Sequence, residues 1–274
     1  MRYAILSDIH SDIEALNAVL PVIETQHIDK MICLGDMVGY YTNPNECLEI
    51  IEDREMLCIS GNHDRGAIGS KDISRFWRGA RLAMPWTQKR LTLKSKLFLE
   101  TLPLTRTVAD SFVMVHSSLD PDPDADFYIR SEEDALPTFN VLAKQNAKIC
   151  FFGHTHHPVI YEYDNGIVRK IIEKTTSLNP SCYYLINPGS VGQSRDMDER
   201  ASFSIYDTDM ATVSFFRVAY DRRACVQKAE KAGIRYTESA LSKQWKNIKI
   251  FAKEEYPAIY GCVRNIVRRY VPFK

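Results

Sequence analysis

Residues 3–10, Tyr3-Ala4-Ile5-Leu6-Ser7-Asp8-Ile9-His10, hold the pattern on which the fold turns: an apolar run that breaks into paired polar side chains. Two later stretches repeat it. Met31-Ile32-Cys33-Leu34 runs into Gly35-Asp36, and Met56-Leu57-Cys58-Ile59 leads to Gly61-Asn62-His63-Asp64. Between them, Ile13, Leu16, Leu20 and Ile23 fall at helical spacing, and a second helix is expected from about residue 43 to 53. Strand, helix, strand, helix, strand implies parallel pairing with helices on the sheet faces. Ligands of such sheets bind beyond the carboxyl ends of the strands, where these polar clusters fall.

The same punctuation recurs further on. Phe112–Val115 is an apolar strand closed by His116, and Gly153-His154-Thr155-His156 ends another. Residues 66–105 are expected to be helical, a cap-like insertion or simple core packing, with Trp77, Trp86, Leu91, Leu97, Phe98 and Leu102 as apolar anchors. Asp120–Asp126 is a stiff acidic loop, after which Ser131-x-x-Asp134 opens a helix with a capping-box pattern. Beyond residue 156 the texture changes to β-branched and aromatic runs at 159–163, 167–172, 182–186, 202–206 and 213–218, separated by turn residues such as Asp164-Asn165-Gly166. A second, more antiparallel sheet is expected from them. Helical spacing returns at 221–233 and at about 238–270.

Composition narrows the class. With 274 residues, 45% of them hydrophobic, the chain can bury a sizeable core in one domain of about residues 1–218 with an appendage at 219–274. The formal net charge is zero, so the whole molecule has no bulk pull on nucleic acid or membrane. Residues 219–274 carry 13 Lys+Arg against 5 Asp+Glu, a net of +8, which leaves −8 on the first 218. Arg264, Arg268 and Arg269 fall on one helical face there, a docking surface or a solvated helix over the second sheet. The seven cysteines form no C-x-x-C pair, and Cys33, Cys58 and Cys150 sit inside apolar runs as small buried hydrophobes. No apolar stretch nears the ~18 residues of a membrane span, and the chain starts without a basic-then-apolar leader. A cytoplasmic location is expected.

The chemistry lies in the clusters. Residues i and i+2 of a strand point the same way, so Asp8 with His10, and His154 with His156, can each reach one ion. Asp36 is a strand-end carboxylate with two oxygens, able to bridge two cations or simply to cap a helix. The Asn62 carbonyl is a neutral ligand, and His63 beside it can face a substrate as an acid. His116 alone reads as a core or rim histidine; in this company it reads as a ligand. Together the clusters can hold two metal ions side by side, an arrangement suited to phosphate-ester hydrolysis.

On these blocks the chain resembles the calcineurin-like metallophosphoesterases, whose pattern is D-x-H, G-D, G-N-H-[D/E], H and G-H-x-H. Asn187-Pro188-Gly189-Ser190-Val191-Gly192 resembles a sheet-end loop of the bacterial branch. The resemblance implies an α/β (α+β) fold, a four-layer double β-sandwich flanked by helices. It implies that Asp8, His10 and His156 hold one metal, that Asn62, His116 and His154 hold the other, and that Asp36 bridges them. It makes His63 the general acid with Asp64 orienting its ring. Two cations about 3.5–4 Å apart would share and acidify a water, and His63 would protonate the departing alkoxide. Mixed His, Asp and Asn ligands suit Mn²⁺, Fe²⁺, Zn²⁺ or Ni²⁺.

Gly35-Asp36-Met37-Val38-Gly39-Tyr40 lacks the arginine of the family's protein phosphatases, and the third block ends in Asp64 rather than Glu. The resemblance is therefore to the phosphodiesterase-type branch, with small phosphate-ester substrates. A phosphomonoesterase, a nuclease and a non-catalytic metal-binding scaffold of the same fold are the alternatives. No dedicated nucleic-acid domain is visible, and the scaffold type lacks the acid histidine. Arg65, Tyr40, His157 and Arg195 neighbour the metal blocks. Each either contacts substrate or serves locally: Arg65 pairing with a carboxylate, Tyr40 packing on a helix, His157 continuing its loop, Arg195 solvated in an acidic turn.

Overall fold

The computed structural model describes residues 1–108, 111–120, 122, 125–145 and 147–234, which make one compact unit from Met1 to Ile234. The basic helical face at 264–269 lies outside the described residues. In chain order the elements are β1 (Arg2–Leu6), α1 (Ile13–Glu24), β2 (Lys30–Cys33), α2 (Pro44–Asp53), β3 (Leu57–Cys58), α3 (Asn62–Ala67), α4 (Arg78–Arg90), α5 (Leu93–Glu100), β4 (Thr105–Val108) and β5 (Phe112–Val115). There follow α6 (Glu132–Lys144), β6 (Ile149–Phe151), β7 (Val159–Asp164), β8 (Ile167–Ile171), β9 (Thr175–Ser177), β10 (Tyr183–Asn187), β11 (Ala201–Asp207), β12 (Thr212–Val218) and α7 (Arg222–Lys231).

Two six-stranded sheets result, ordered β3-β2-β1-β11-β12-β9 and β4-β5-β6-β10-β7-β8. They are the two central layers of an α/β double sandwich, and alternation along β1 shows how. Ala4 and Leu6 face outward into a core shared with Leu16, Val19, Leu48 and Leu99 of the helices. Tyr3 and Ile5 face inward, where Phe112, Phe151, Tyr184 and Ile186 of the other sheet meet them. On the far side, Val113, Cys150 and Leu185 pack against Ala135, Phe139 and Leu142 of α6.

The late strands do not make up a separate, more antiparallel sheet; they divide between the two sheets, and both sheets are mixed. β1, β2 and β3 pair in parallel, but β11 joins the other side of β1 antiparallel, and β12 and β9 follow it. The second sheet is mixed too, with β6 parallel to both β5 and β10 and with hairpins at its edges. Strand patterning marks each strand but not its partner. The capping box is present: Asp134 N donates to Ser131 Oγ at 3.1 Å, and Ser131 N donates to the Asp134 carboxylate at 3.0 Å.

Register positions the site. Leu6 pairs with Cys33 and Cys33 with Cys58, so three strand ends stop side by side. Past the ends the loops are tied by main-chain bonds, Asp8 N to Gly35 O (3.1 Å), His10 N to Asp36 O (2.9 Å) and Ser11 N to Met37 O (2.9 Å). Gly153 N to His116 O (2.8 Å) joins the second sheet's loops in the same way. The 187–192 loop closes the set, with Val191 N on Ser7 O (3.0 Å) and Gly192 N on Asp8 O (3.1 Å).

A candidate dinuclear metal centre

The loops bring Asp8, His10, Asp36, Asn62, His63, His116, His154 and His156 into one buried cradle, each side chain's residue under 10% exposed. Pleating is not what aims them. Asp8, His10, Asp36, His154 and His156 lie past the strand ends with φ between 52° and 65°. Left-handed backbone at a non-glycine residue costs about 1–3 kcal/mol, and five such residues persist only because the ties described above leave the loops no alternative. Gly153 and Gly61 permit the approach. A Cβ on Gly153 would collide with Ser7 Oγ and Asp8 Oδ2, and one on Gly61 with the Asp36 carboxylate.

Second partners fix which atom of each group faces inward. His10 Nδ1 donates to Val38 O (3.3 Å) and His116 Nδ1 to Leu34 O (2.8 Å), while His156 Nδ1 donates to Gln193 O. All three Nε2 atoms therefore point into the cradle. His154 is reversed, its Nε2 on Asp126 O at 3.2 Å, which leaves Nδ1 as the lone-pair nitrogen. Asp8 Oδ2 accepts from Ser7 Oγ (2.6 Å) and His154 N (3.0 Å). Its Oδ1 is buried without a hydrogen bond, 3.2 Å from His156 Nε2 and 3.8 Å from His10 Nε2.

Three overlapping triads in the cradle have ligand atoms within 4.8 Å of one another, Asp8-His10-His156 and Asp36-His116-His154, which share no residue, and His10-Asp36-His63, which links them. Asp36 Oδ1 accepts from His63 N at 2.8 Å, and Oδ2 stands 3.3 Å from His116 Nε2 and 3.8 Å from His10 Nε2. Asn62 Oδ1 lies 3.1 Å from His116 Nε2. Lone pairs converging on an orphaned carboxylate oxygen, each ring locked from behind by a carbonyl, are what a cation site requires.

Electrostatics agree with that donor set. Burial drives His10 and His154 well below the ordinary imidazole range, and burial with the nearby Arg195 lowers His156. Burial works against charge on Asp36 too, yet His116 and His63 around it hold its carboxyl well below the usual range. Burial opposes charge on His116 most strongly of any single influence, but the Asp36 and Asp8 carboxylates and the Leu34 carbonyl together push the ring up to about 10. That proton must leave when a cation takes its place. Burial brings His63 down to about 4.

His63 lies between Tyr40 and Phe76, with ring centroids 4.9 and 5.1 Å away. Its buried Nδ1 has no hydrogen-bond partner. Asp64 does not orient the ring. Its Oδ1 accepts from Met37 N (2.9 Å) and Val38 N (3.2 Å) and its Oδ2 from Gly61 N (3.0 Å), so it holds the loop behind His63. A carboxylate at the third position of a helix reaches back to the N-cap amide, as Asp64 does to Gly61 N, and its other oxygen is taken by amides of the loop after β2.

A cavity of about 560 Å³ opens onto the cradle, lined at its base by Asp36, Asn62, His63 and His154. Tyr40 and Arg195 line it as well, the Arg195 guanidinium donating to His154 O at 3.2 Å and lying 3.5 Å from the Tyr40 hydroxyl. Arg65 faces Asp126 at 3.3 Å, the local pairing foreseen for it, and His157 is exposed with Nδ1 on Thr155 O (2.8 Å). Trp77, expected to pack, is 61% exposed on the cavity rim. Tyr128, Lys71 and Arg75 also line the cavity and carry no motif that announces them.

The family model for the calcineurin-like phosphoesterase superfamily domain matches residues 1–211, and the chain belongs to that family. It is a metal-dependent phosphoesterase. The chain is 35% identical over 230 residues to the uncharacterized protein MJ0912 of Methanocaldococcus jannaschii, covering 83% of this chain and 91% of that one. A metallophosphoesterase from Sphaerobacter thermophilus superposes with a TM-score of 0.74 at 33% identity, over 86% of this chain and 96% of that one. The hypothetical protein PH1004 from Pyrococcus horikoshii shares the fold, with a TM-score of 0.71 at 17% identity, over 86% and 94%. Among the described residues no helix is long and apolar enough to cross a membrane.

Proposed function

We propose that the chain hydrolyses phosphodiesters or nucleotide-type phosphate esters with two divalent transition-metal ions. Asp8, His10 and His156 would hold one ion and Asn62, His116 and His154 the other. The observation that carries this is Asp36 Oδ2, one carboxylate oxygen facing His10 Nε2 at 3.8 Å and His116 Nε2 at 3.3 Å, hence both triads. Mixed nitrogen and oxygen donors without thiolate favour Mn²⁺, Fe²⁺, Zn²⁺ or Ni²⁺ over Ca²⁺. Such ions, when bound, acidify water and neutralise charge on phosphoryl oxygens.

The chain's own groups supply the rest. Arg195 places a guanidinium on the cavity wall, where it can bind a non-bridging oxygen. His63 donates the proton that the leaving oxygen needs. Its ring is neutral while the pocket is empty of anions, and an entering phosphate supplies the opposite charge that favours protonation. Asp64 acts from behind, through the loop it pins.

Purified protein assayed with bis-p-nitrophenyl phosphate, p-nitrophenyl phosphate, cyclic nucleotides and diadenosine polyphosphates, each with Mn²⁺, Ni²⁺, Zn²⁺ and Mg²⁺, tests the reading. The expected outcome is transition-metal-dependent turnover with the diesters ahead. A strong preference for the monoester would replace it with a small-molecule phosphatase.

A further inference from the structure

The cavity is larger than a phosphoryl group needs; about 560 Å³ takes a whole small organic molecule. Two aromatic pairs lead outward from its base. On one wall the His63 ring lies 5.1 Å from Phe76, and Trp77 follows at the rim. On the other, Tyr128 lies 4.0 Å from the His154 ring, and Phe127 precedes it at the rim. The inner member of each pair is partly buried against the cradle, while Trp77 is 61% and Phe127 57% exposed. The two rim rings come from separate segments, the start of α4 and the loop before α6, and converge on one cavity.

The geometry points to a subsite for a flat aromatic group, a nucleobase or aryl ring, carried by the leaving alcohol, with Trp77 and Phe127 as specificity-determining residues. This rests on the hydrolase reading above. The leaving side is indicated because His63, the proton donor, shares a wall with Phe76 and Trp77. Aromatic faces accept any base by stacking, and water-exposed rings beside a polar floor gain most from being covered by a planar group.

The test compares two diesters with the same leaving hydroxyl, adenosine 5′-(methyl phosphate) and the base-free 1-O-methylribose 5′-(methyl phosphate), with Mn²⁺-loaded protein. Cleavage at the ribose side is read from the products. Wild type is expected to favour the base-bearing ester by about tenfold in kcat/KM, mostly through KM. The Trp77→Ala/Phe127→Ala variant is expected to lose most of that ratio, and Trp77→Phe to keep most of it. Both side chains are more than half exposed, so folding, checked by circular dichroism, is expected to survive. An unchanged ratio in the double variant, or no preference in wild type, overturns the subsite while leaving the hydrolase reading intact. Hydrolysis of neither ester by metal-loaded wild type overturns the diester reading and this inference with it.

Discussion

The floor of the pocket and its rim are built by opposite means. On the floor, main-chain groups do most of the holding: Val38, Leu34 and Gln193 carbonyls hold three imidazoles, and loop amides hold Asp8, Asp36 and Asp64, with the Ser7 hydroxyl as a side-chain partner of Asp8. On the rim, side chains hold side chains. Asp126 pairs with Arg65 (3.3 Å) and Lys71 (2.8 Å), and Arg217 pairs with Asp196 beneath the turn that carries Arg195. A floor fixed by backbone can place lone pairs to tenths of an ångström but has no slack. Floor and rim meet where the Asp126 carbonyl holds His154, but the exposed Trp77 and Phe127 rings can change without disturbing the floor, so at those two positions selectivity is separable from chemistry.

The largest expected effect removes the Asp36 oxygen that faces both triads. Asp36→Asn keeps an acceptor for His63 N and preserves the fold, but it loses the charge that two cations would divide. Turnover should fall by about 10³-fold or more, and mass-spectrometric metal content should drop at the same time. Retention of two ions per chain with turnover within tenfold of wild type would break the claim that the floor works as one unit.

His63→Ala comes next. His63 touches no cation in the proposed arrangement, so metal content should stay at the wild-type level while turnover falls about 10²–10⁴-fold. The loss should be steepest for esters with poorly acidic leaving alcohols and nearly vanish for p-nitrophenolate. Equal losses across leaving groups would assign His63 to structure rather than to proton transfer.

Much of the floor was legible because its chemistry is written in residue types. A histidine or aspartate directly after an apolar run is a strand-end ligand candidate whatever its partner, and parallel β1, β2 and β3 place three such ends together. The manner of aiming was not legible. Left-handed backbone at Asp8, His10, Asp36, His154 and His156 depends on tertiary ties, and none of these five positions is a glycine that would signal it. The role of Asp64 is hidden for the same reason, since adjacency to His63 says nothing about which amides compete for its oxygens. The rim was the least legible part. Trp77 and Phe98 look alike in a helical pattern, yet Phe98 packs on the helical core and Trp77 stands in water. Only the path of the chain around the cavity distinguishes them.

The smallest effect belongs to the turn that supports the rim behind Arg195, and it carries a sign. The Asp198 carboxylate accepts from Arg200 Nε at 2.9 Å and Nη2 at 2.6 Å, and that hydrogen bonding, with Arg217 nearby, lowers it from 3.8 to about 2. A carboxyl depressed on folding adds stability that is present above about pH 3.8 and is lost as pH falls toward 2. The side chain is 32% exposed, so solvent screening should leave well under about 1 kcal/mol. Urea unfolding of wild type and Asp198→Asn should therefore differ slightly at pH 6, less in roughly 1 M salt, and not at all near pH 2. A difference that persists unchanged at pH 2 would mean the turn is held by packing rather than by charge, and the contrast between a backbone-built floor and a charge-built rim would have to be redrawn.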